Sequence, residues 1–141
     1  VEGYKLLSDS VDIYIAAGES EYNIWGFKEY IVRRAIDILQ PDVTKAGGFT
    51  VARKLTDLCE IWNLMMVPHG FSTVVNVAAN LQLIASMPRA FLLEYRRAPS
   101  PLISRLARKP FAYENGHLMI PNAPGLGVEL DYSVVEECRI K

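Results

Sequence analysis

The sequence predicts an α/β fold in which parallel strands alternate with helices, as in the C-terminal half of a (β/α)₈ (TIM-like) barrel. Four apolar runs each end in an ionisable residue, namely Glu19, Asp42, His69 and Glu94. These residues are separated by 23, 27 and 25 positions, which is about the length that a strand, a helix and two short loops require. Because the strands of such a barrel all end on one face, we expect the four side chains to meet there.

The predicted elements are, in chain order, the end of a helix at 1–9, a strand at 11–17, a helix at 26–34, a strand at 36–40, a turn at 46–50, a helix that continues to 62, a strand at 64–67, a helix at 73–87 and a strand at 90–95. The four strands are predicted from short runs rich in Val, Ile, Leu, Met and Phe. Pro68 ends the third run, because proline has no N–H to donate to a central ladder.

The helices are predicted from apolar residues that recur at intervals of three and four. In the first, Phe27, Tyr30 and Ile31 share a face. The apolar stripe of the second consists of Val51, Leu55, Leu58, Cys59 and Trp62. The third is rich in Val, Ala and Leu, and Pro88 closes it.

After residue 95 the pattern becomes irregular, with three prolines and four arginines within 96–110. Asn115-Gly116 predicts a turn between two short strands, and residues 134–140 are predicted to form a last short helix. A complete (β/α)₈ barrel needs roughly 250 residues, whereas this chain has 141 and does not begin with Met. We therefore expect it to be the C-terminal part of a longer protein.

The composition is that of a globular protein without a nucleic-acid or membrane partner. Half of the residues are apolar, and the net charge of −1 gives no broad basic surface. No apolar run is long enough to span a bilayer. The two cysteines, Cys59 and Cys138, have no metal-ligand spacing, so we expect free thiols and a cytoplasmic location.

Each of the four ionisable residues also has an ordinary structural interpretation. A glutamate after a strand is often solvated or caps a helix, and an aspartate before Gly-Gly often only forms a turn. His69, which follows a proline in a loop, fits a structural role as well. Glu94 is close enough in sequence to pair with Arg96 or Arg97.

Five short motifs occur in one order and resemble the C-terminal part of the enolase superfamily, specifically its mandelate racemase branch. They are Ala-Ala-Gly-Glu at 16–19, Gln-Pro-Asp-Val-Thr-Lys-Ala-Gly-Gly at 40–48, Val-Pro-His-Gly at 67–70, Leu-Glu-Tyr at 93–95, and the Ile-Pro and Pro-Gly-Leu-Gly-Val of 120–128. The resemblance covers nearly the whole chain.

The resemblance implies a role for each of the four residues. Glu19 matches the third of three carboxylate ligands of Mg²⁺, and the other two would lie upstream of Val1. Asp42 and His69 match a catalytic aspartate–histidine pair. Glu94 matches a catalytic residue that contacts the substrate carboxylate or enolate, and His69 would also contact the substrate.

The resemblance also implies a domain organisation and a substrate class. Residues 1–98 would form the last βα units of the barrel, and 99–141 would return toward an N-terminal capping domain that lies outside this sequence. The substrate would be a small carboxylate, either an acid sugar or a hydroxy acid, and the full-length protein would be a homo-oligomer. Dehydration of an acid sugar (a hydro-lyase reaction) is the expected activity, and racemisation or epimerisation of a 2-hydroxy acid is the alternative.

The chemistry explains these residue types. Removing a proton next to a carboxylate builds negative charge on an anionic group, which Mg²⁺ stabilises as a Lewis acid. His69 can transfer that proton near neutral pH, since an unperturbed imidazole has a pKa near 6.5, and a hydrogen bond from the ring to Asp42 would fix its tautomer. A protonated Glu94 would be able to donate a hydrogen bond to the enolate oxygen.

Further predictions concern other residues and the chain as a whole. Lys45 is a possible base, although a surface ion pair is the simpler interpretation. His117 is expected to be exposed. The aromatic residues Trp25, Phe27, Trp62 and Phe91 are expected in the core or at an interface. The alternative to an enzyme is a non-catalytic barrel fragment that requires a complementary half, and this chain alone is expected to be inactive.

Overall fold

The computed structural model describes residues 1–96 and 100–140. Its elements are, in chain order, α1 (Glu2–Ser10), β1 (Ala16–Ala17), α2 (Asn23–Val32), β2 (Ile38–Leu39), α3 (Gly48–Ile61), β3 (Met65–Met66), α4 (Val74–Ala85), α5 (Pro101–Ser104), β4 (Tyr113–Glu114), β5 (His117–Leu118) and α6 (Tyr132–Glu137). The α/β prediction is confirmed, since strands and helices alternate from β1 to α4. That the three strands belong to half of a barrel stays a prediction.

The three strands β1, β2 and β3 form a parallel sheet in that order. Ala17 pairs with Leu39, which in turn pairs with Met66. Beyond these pairs, the His69 N–H still donates to the Pro41 carbonyl oxygen at 3.0 Å. The segments that follow the three strands therefore leave the sheet side by side, at the carboxyl ends of the strands.

The predicted fourth strand at 90–95 is wrong. These residues form no ladder with β3 or with any other strand of the described chain. The Gly70 N–H donates instead to the side chain of Glu94, whose Oε2 accepts at 3.2 Å. A side-chain oxygen thus accepts the hydrogen bond of a backbone N–H next to β3, and residues 90–95 have no strand partner.

Several predicted boundaries also differ from the structure. Each predicted strand of the parallel sheet shortens to two paired residues, and the last helix covers Tyr132–Glu137, ahead of the predicted 134–140. It begins early because Oδ1 of Asp131 accepts a hydrogen bond from the Ser133 N–H at 2.9 Å, which caps the helix. The predicted Asn115-Gly116 turn is confirmed between the antiparallel strands β4 and β5. The predicted domain boundary between 98 and 99, together with Arg97 and Pro99, lies outside the described residues.

Two apolar clusters hold the chain together. The larger lies between the sheet and its helices, where Phe27 of α2, Leu39 of β2 and Leu55 of α3 are fully buried. The smaller joins α4 to the C-terminal segment through Val74, Leu106, Ala107 and Val134. Among the aromatic residues predicted in a core or interface, Phe27 is buried, whereas Trp25, Trp62 and Phe91 are exposed.

Both cysteines are free thiols, as predicted. Cys59 lies in the larger cluster, where burial raises its pKa to about 12. A thiol with such a pKa stays protonated at neutral pH, so Cys59 is a packing residue and not a nucleophile. In the part of the chain that the structure describes, no helix has the length and hydropathy needed to cross a membrane.

Candidate active site

The four ionisable residues singled out by their spacing lie together around the ring of His69. The Nδ1 atom of His69 is 3.4 Å from Oδ2 of Asp42. On the other side of the ring, Nε2 lies 3.9 Å from Oε2 of Glu19 and 4.0 Å from Oε2 of Glu94. The side chain of Asp42 is 2% exposed and that of His69 is 12% exposed, whereas Glu19 and Glu94 are 57% and 37% exposed. The imidazole therefore stands between a buried carboxylate and two that reach solvent.

The strand ends explain why these residues meet. Glu19 comes two residues after β1, and Asp42 and His69 come three residues after β2 and β3 respectively. Gly18 makes the turn before Glu19 possible, because it adopts φ +125°, a backbone conformation that residues with a side chain rarely adopt. Glu94 reaches the cluster from residues 90–96, which follow α4.

The two oxygens of Asp42 have different partners. Oδ1 accepts hydrogen bonds from the Thr44 N–H at 2.8 Å, from the Thr44 hydroxyl at 2.6 Å and from the Asn76 amide at 3.0 Å. Oδ2 faces His69. The turn-forming interpretation of Asp42 is thus correct for one oxygen, while the other is left for the histidine.

Two buried asparagines of α4, Asn76 and Asn80, form hydrogen bonds with Asp42 and His69. Nδ2 of Asn80 donates to the His69 carbonyl oxygen at 2.9 Å and to Oδ1 of Asn76 at 3.3 Å. Both are fully buried, at 1% and 0% exposed. Neither asparagine was predicted as a site residue, although two amide side chains four positions apart in a largely apolar helix were a visible signal.

An aromatic and a cationic side chain form one wall of the site. The Phe71 ring stacks on the imidazole of His69 with a centroid separation of 6.0 Å. The Arg96 guanidinium lies 4.2 Å above the centre of the Phe71 ring, and it donates to the Phe71 carbonyl oxygen at 3.3 Å. Of the two arginines proposed as partners of Glu94, Arg96 therefore stacks on Phe71, and Arg97 lies outside the described residues.

Two other candidate residues lie away from the cluster. The side chain of Lys45 is exposed, and the expected surface ion pair is not formed with any described residue. His117 is exposed, as predicted, and its Nδ1 lies 3.0 Å from the Asn115 carbonyl oxygen. An apolar groove of about 520 Å³ runs between α4, residues 90–95 and the β4–β5 hairpin, and none of the four cluster residues lines it.

The described residues fit Mg²⁺ only in part. Mg²⁺ prefers octahedral coordination by oxygen atoms, and the exposed carboxylate of Glu19 is a suitable single ligand at the edge of the cluster. Within residues 1–96 and 100–140, no group of three or more His, Cys, Asp or Glu side chains is arranged to hold a metal ion. The remaining ligands of any such ion would have to come from outside these residues.

Comparison with known proteins identifies the family. A family model described as enolase C-terminal domain-like matches residues 1–134 of this chain. The chain belongs to the enolase superfamily. The resemblance to its C-terminal part is thereby confirmed, and members of this superfamily typically bind Mg²⁺.

The relatives are enzymes of acid-sugar metabolism and mandelate racemase-like proteins. The D-xylonate dehydratase of Haloferax volcanii is 33% identical over 94% of this chain and 32% of its own length. The solved 3,6-anhydro-D-galactonate cycloisomerase of Zobellia galactanivorans superposes with a TM-score of 0.90 at 35% identity, over 96% of this chain and 38% of that one. The mandelate racemase/muconate lactonizing enzyme structure from Sulfitobacter sp. has a TM-score of 0.88 at 29% identity, over 96% and 34%. The chain thus spans about a third of the length of each.

Proposed function

We propose that this chain supplies the acid–base residues of an enzyme that removes the proton next to the carboxylate of an acid sugar and then eliminates water. The observation that carries the proposal is the position of the His69 ring, with Asp42 on Nδ1 and two partly exposed carboxylates on the side of Nε2. The dehydratase among the relatives supports acid sugars as the substrate class.

His69 is the proposed base. Its Nε2 faces the open side of the cluster, where a substrate carbon would approach. Asp42, on the opposite side of the ring, holds Nδ1 and stabilises the positive charge that the imidazole acquires when it takes the proton. The separation of 3.4 Å is long for a hydrogen bond, and such contacts commonly tighten once substrate is bound.

Glu94 and Glu19 are proposed to bind the substrate's charged end. Glu94 is fixed by the Gly70 N–H, which leaves its carboxyl group beside the imidazole, where in the protonated form it would donate a hydrogen bond to the substrate carboxylate or enolate. Glu19 would be one ligand of Mg²⁺. When bound, that ion supplies positive charge that stabilises the anion formed as the proton leaves.

Isomerisation is the second candidate, because one of the similar structures is a cycloisomerase at 35% identity. Both reactions begin with the same proton removal by His69. They differ in the next step, since an isomerase leaves the elements of water in its product. Racemisation would in addition need a second base on the opposite face of the substrate, and we expect that residue in the part of the protein upstream of this chain.

The test is α-proton exchange in deuterated buffer, measured by NMR on the intact protein with Mg²⁺ and a panel of aldonates and aldarates. Wild type should either exchange the α-proton of at least one acid sugar or dehydrate that sugar with loss of the proton, and His69→Asn should lower the rate of the reaction observed by at least about 10²- to 10⁴-fold. His117→Asn is the matched control, because His117 is exposed and its side chain contacts the Asn115 carbonyl oxygen and none of the four cluster residues described, and it should exchange at the wild-type rate. Exchange by His69→Asn at the wild-type rate would rule out His69 as the base.

A further inference from the structure

The buried amides of Asn76 and Asn80 form a directional chain of hydrogen bonds that ends on the proposed catalytic pair. Asn80 donates to the His69 carbonyl oxygen and to Asn76, and Asn76 donates to Oδ1 of Asp42. Rotating the Asn76 amide by 180° would place its oxygen against the Asp42 carboxylate and its NH₂ against that of Asn80. Its two neighbours therefore fix the orientation of this amide.

Packing alone does not explain these amides. Among the described residues, Oδ1 of Asn80 is a buried acceptor without a hydrogen-bond partner, which is unfavourable. A leucine in the same place would remove this unpaired atom, but it would also remove the donor to the His69 carbonyl oxygen and to Asn76. The amides are better explained by what they hold, since one contacts the loop of Asp42 and the other contacts the loop of His69.

The donors to Asp42 are not equivalent. Thr44 is two residues away in the same turn and moves with Asp42, so it fixes only the local turn. Asn76 belongs to α4, the helix that also holds the His69 carbonyl oxygen through Asn80. The two loops are therefore anchored to one helix, at positions one turn apart.

We propose that Asn76 is a positioning residue for the Asp42–His69 pair, an inference that rests on the proposed function. Together with Thr44 it occupies Oδ1 of Asp42, so that Oδ2 is left to accept the Nδ1–H of His69. The neutral ring is thereby held with Nε2 unprotonated, facing Glu19 and Glu94, which is the form that accepts a proton from substrate.

The first test is kinetic and uses the intact protein. Asn76→Leu keeps the number and branching of the non-hydrogen side-chain atoms and removes the donor, so kcat should fall by about 10- to 100-fold, the effect of losing one hydrogen bond to a charged group. KM should stay within about twofold, because Asn76 acts through Asp42 and does not reach the substrate. The matched control is Thr56→Val in α3, which removes another buried hydrogen bond, from Thr56 to the Ala52 carbonyl oxygen at 3.0 Å. It should lower stability and leave kcat unchanged.

The second test does not depend on turnover, and its wild-type measurement does not depend on the Asn76→Leu variant folding. In ¹⁵N spectra of histidine-labelled wild type, at a pH where the ring is neutral, His69 should carry its proton on Nδ1. Its signals are identified by their absence from the His69→Asn spectrum. In Asn76→Leu, the two tautomers should become mixed.

The outcomes separate this inference from the proposed function. If the neutral ring of His69 in wild type carries its proton on Nε2, the inference is wrong, whatever the activity. It is also wrong if the kcat of Asn76→Leu equals that of the control Thr56→Val. If no acid sugar undergoes α-proton exchange or dehydration, the proposed function fails, and the tautomer of His69 still decides whether Asn76 positions the pair.

Discussion

At the scale of single residues, the carboxylate of Asp42 combines a structural and a proposed catalytic task. Oδ1 closes the turn with Thr44 and binds the buried amide of Asn76, while Oδ2 faces His69. Because the side chain is only 2% exposed, water competes little with any of these contacts. The orientation of the imidazole therefore depends on a carboxylate that protein groups hold in place.

Since Asp42 is proposed to act through His69, changes at the two residues should not add. Asp42→Asn combined with His69→Asn should slow α-proton exchange in the intact protein little more than His69→Asn does alone. His117→Asn serves as the control, because His117 is exposed and its side chain has no contact with the four described residues of the cluster, and it should leave the exchange rate unchanged. Losses that multiply in the double variant would show that Asp42 contributes independently of the histidine.

At the scale of elements, the site depends on where each strand stops and on how the next segment leaves the sheet. Close contact between the loop after β3 and residues 90–96 brings Glu94 to the cluster. A Cβ atom built at Gly70 would lie 2.0 Å from the Glu94 carbonyl oxygen. Only glycine fits at position 70, because the atom that a side chain would meet is a backbone oxygen, which cannot rotate away.

Gly70→Ala should consequently push the 90–96 segment away from His69. We expect the free energy of unfolding of the intact protein to fall by about 1–3 kcal/mol, the usual cost of overpacking, and α-proton exchange to slow as Glu94 moves. Urea unfolding and the exchange assay measure the two effects. Gly3→Ala is the control, because this glycine of α1 has no neighbouring atom within 4 Å of the added Cβ, and alanine favours a helix by about 1 kcal/mol. An unchanged Gly70→Ala variant would mean that the contact with Glu94 is not required.

Much of this arrangement is predictable from the sequence, because it depends on short-range rules. Apolar runs that each end in Glu19, Asp42 or His69 at intervals of one βα unit are enough to bring three of the four side chains to one edge of the sheet. The failure at 90–95 has a different origin. An apolar run shows that a segment can form a strand, but whether its backbone finds a partner depends on tertiary contacts such as the one between Gly70 and Glu94.

The asparagines of α4 show a second limit of the sequence analysis. Periodicity describes α4 correctly as an apolar helix, and Thr73 caps its start, accepting a hydrogen bond from the Val75 N–H at 3.2 Å. The same pattern does not tell which loops lie over Asn76 and Asn80. Their hydrogen bonds join residues that are 34 and 11 positions apart, and only the folded chain places them together.

At the scale of the whole molecule, the chain carries surfaces that suit a larger assembly. Within the described sheet, β1 and β3 each pair on one side only, and unpaired strand edges favour association. Leu6, Ile13 and Trp25 are large apolar residues that are well exposed. The relatives are about three times longer than the part that this chain matches. These features agree with a half-barrel that packs against a complement.

By itself, the 141-residue chain should therefore bind Mg²⁺ too weakly to matter at millimolar concentration and should show no turnover of acid sugars. A single exposed carboxylate, Glu19, cannot replace the waters that Mg²⁺ releases reluctantly. Calorimetric titration of Mg²⁺ into this chain should give no tight site, whereas the intact protein should show both binding and dehydration. Glu19→Gln in the intact protein should weaken Mg²⁺ binding and activity together, because it removes one ligand and leaves the fold unchanged. Tight Mg²⁺ binding or dehydration by the isolated chain would contradict this prediction. It would mean that other residues of the same chain complete the metal site with Glu19.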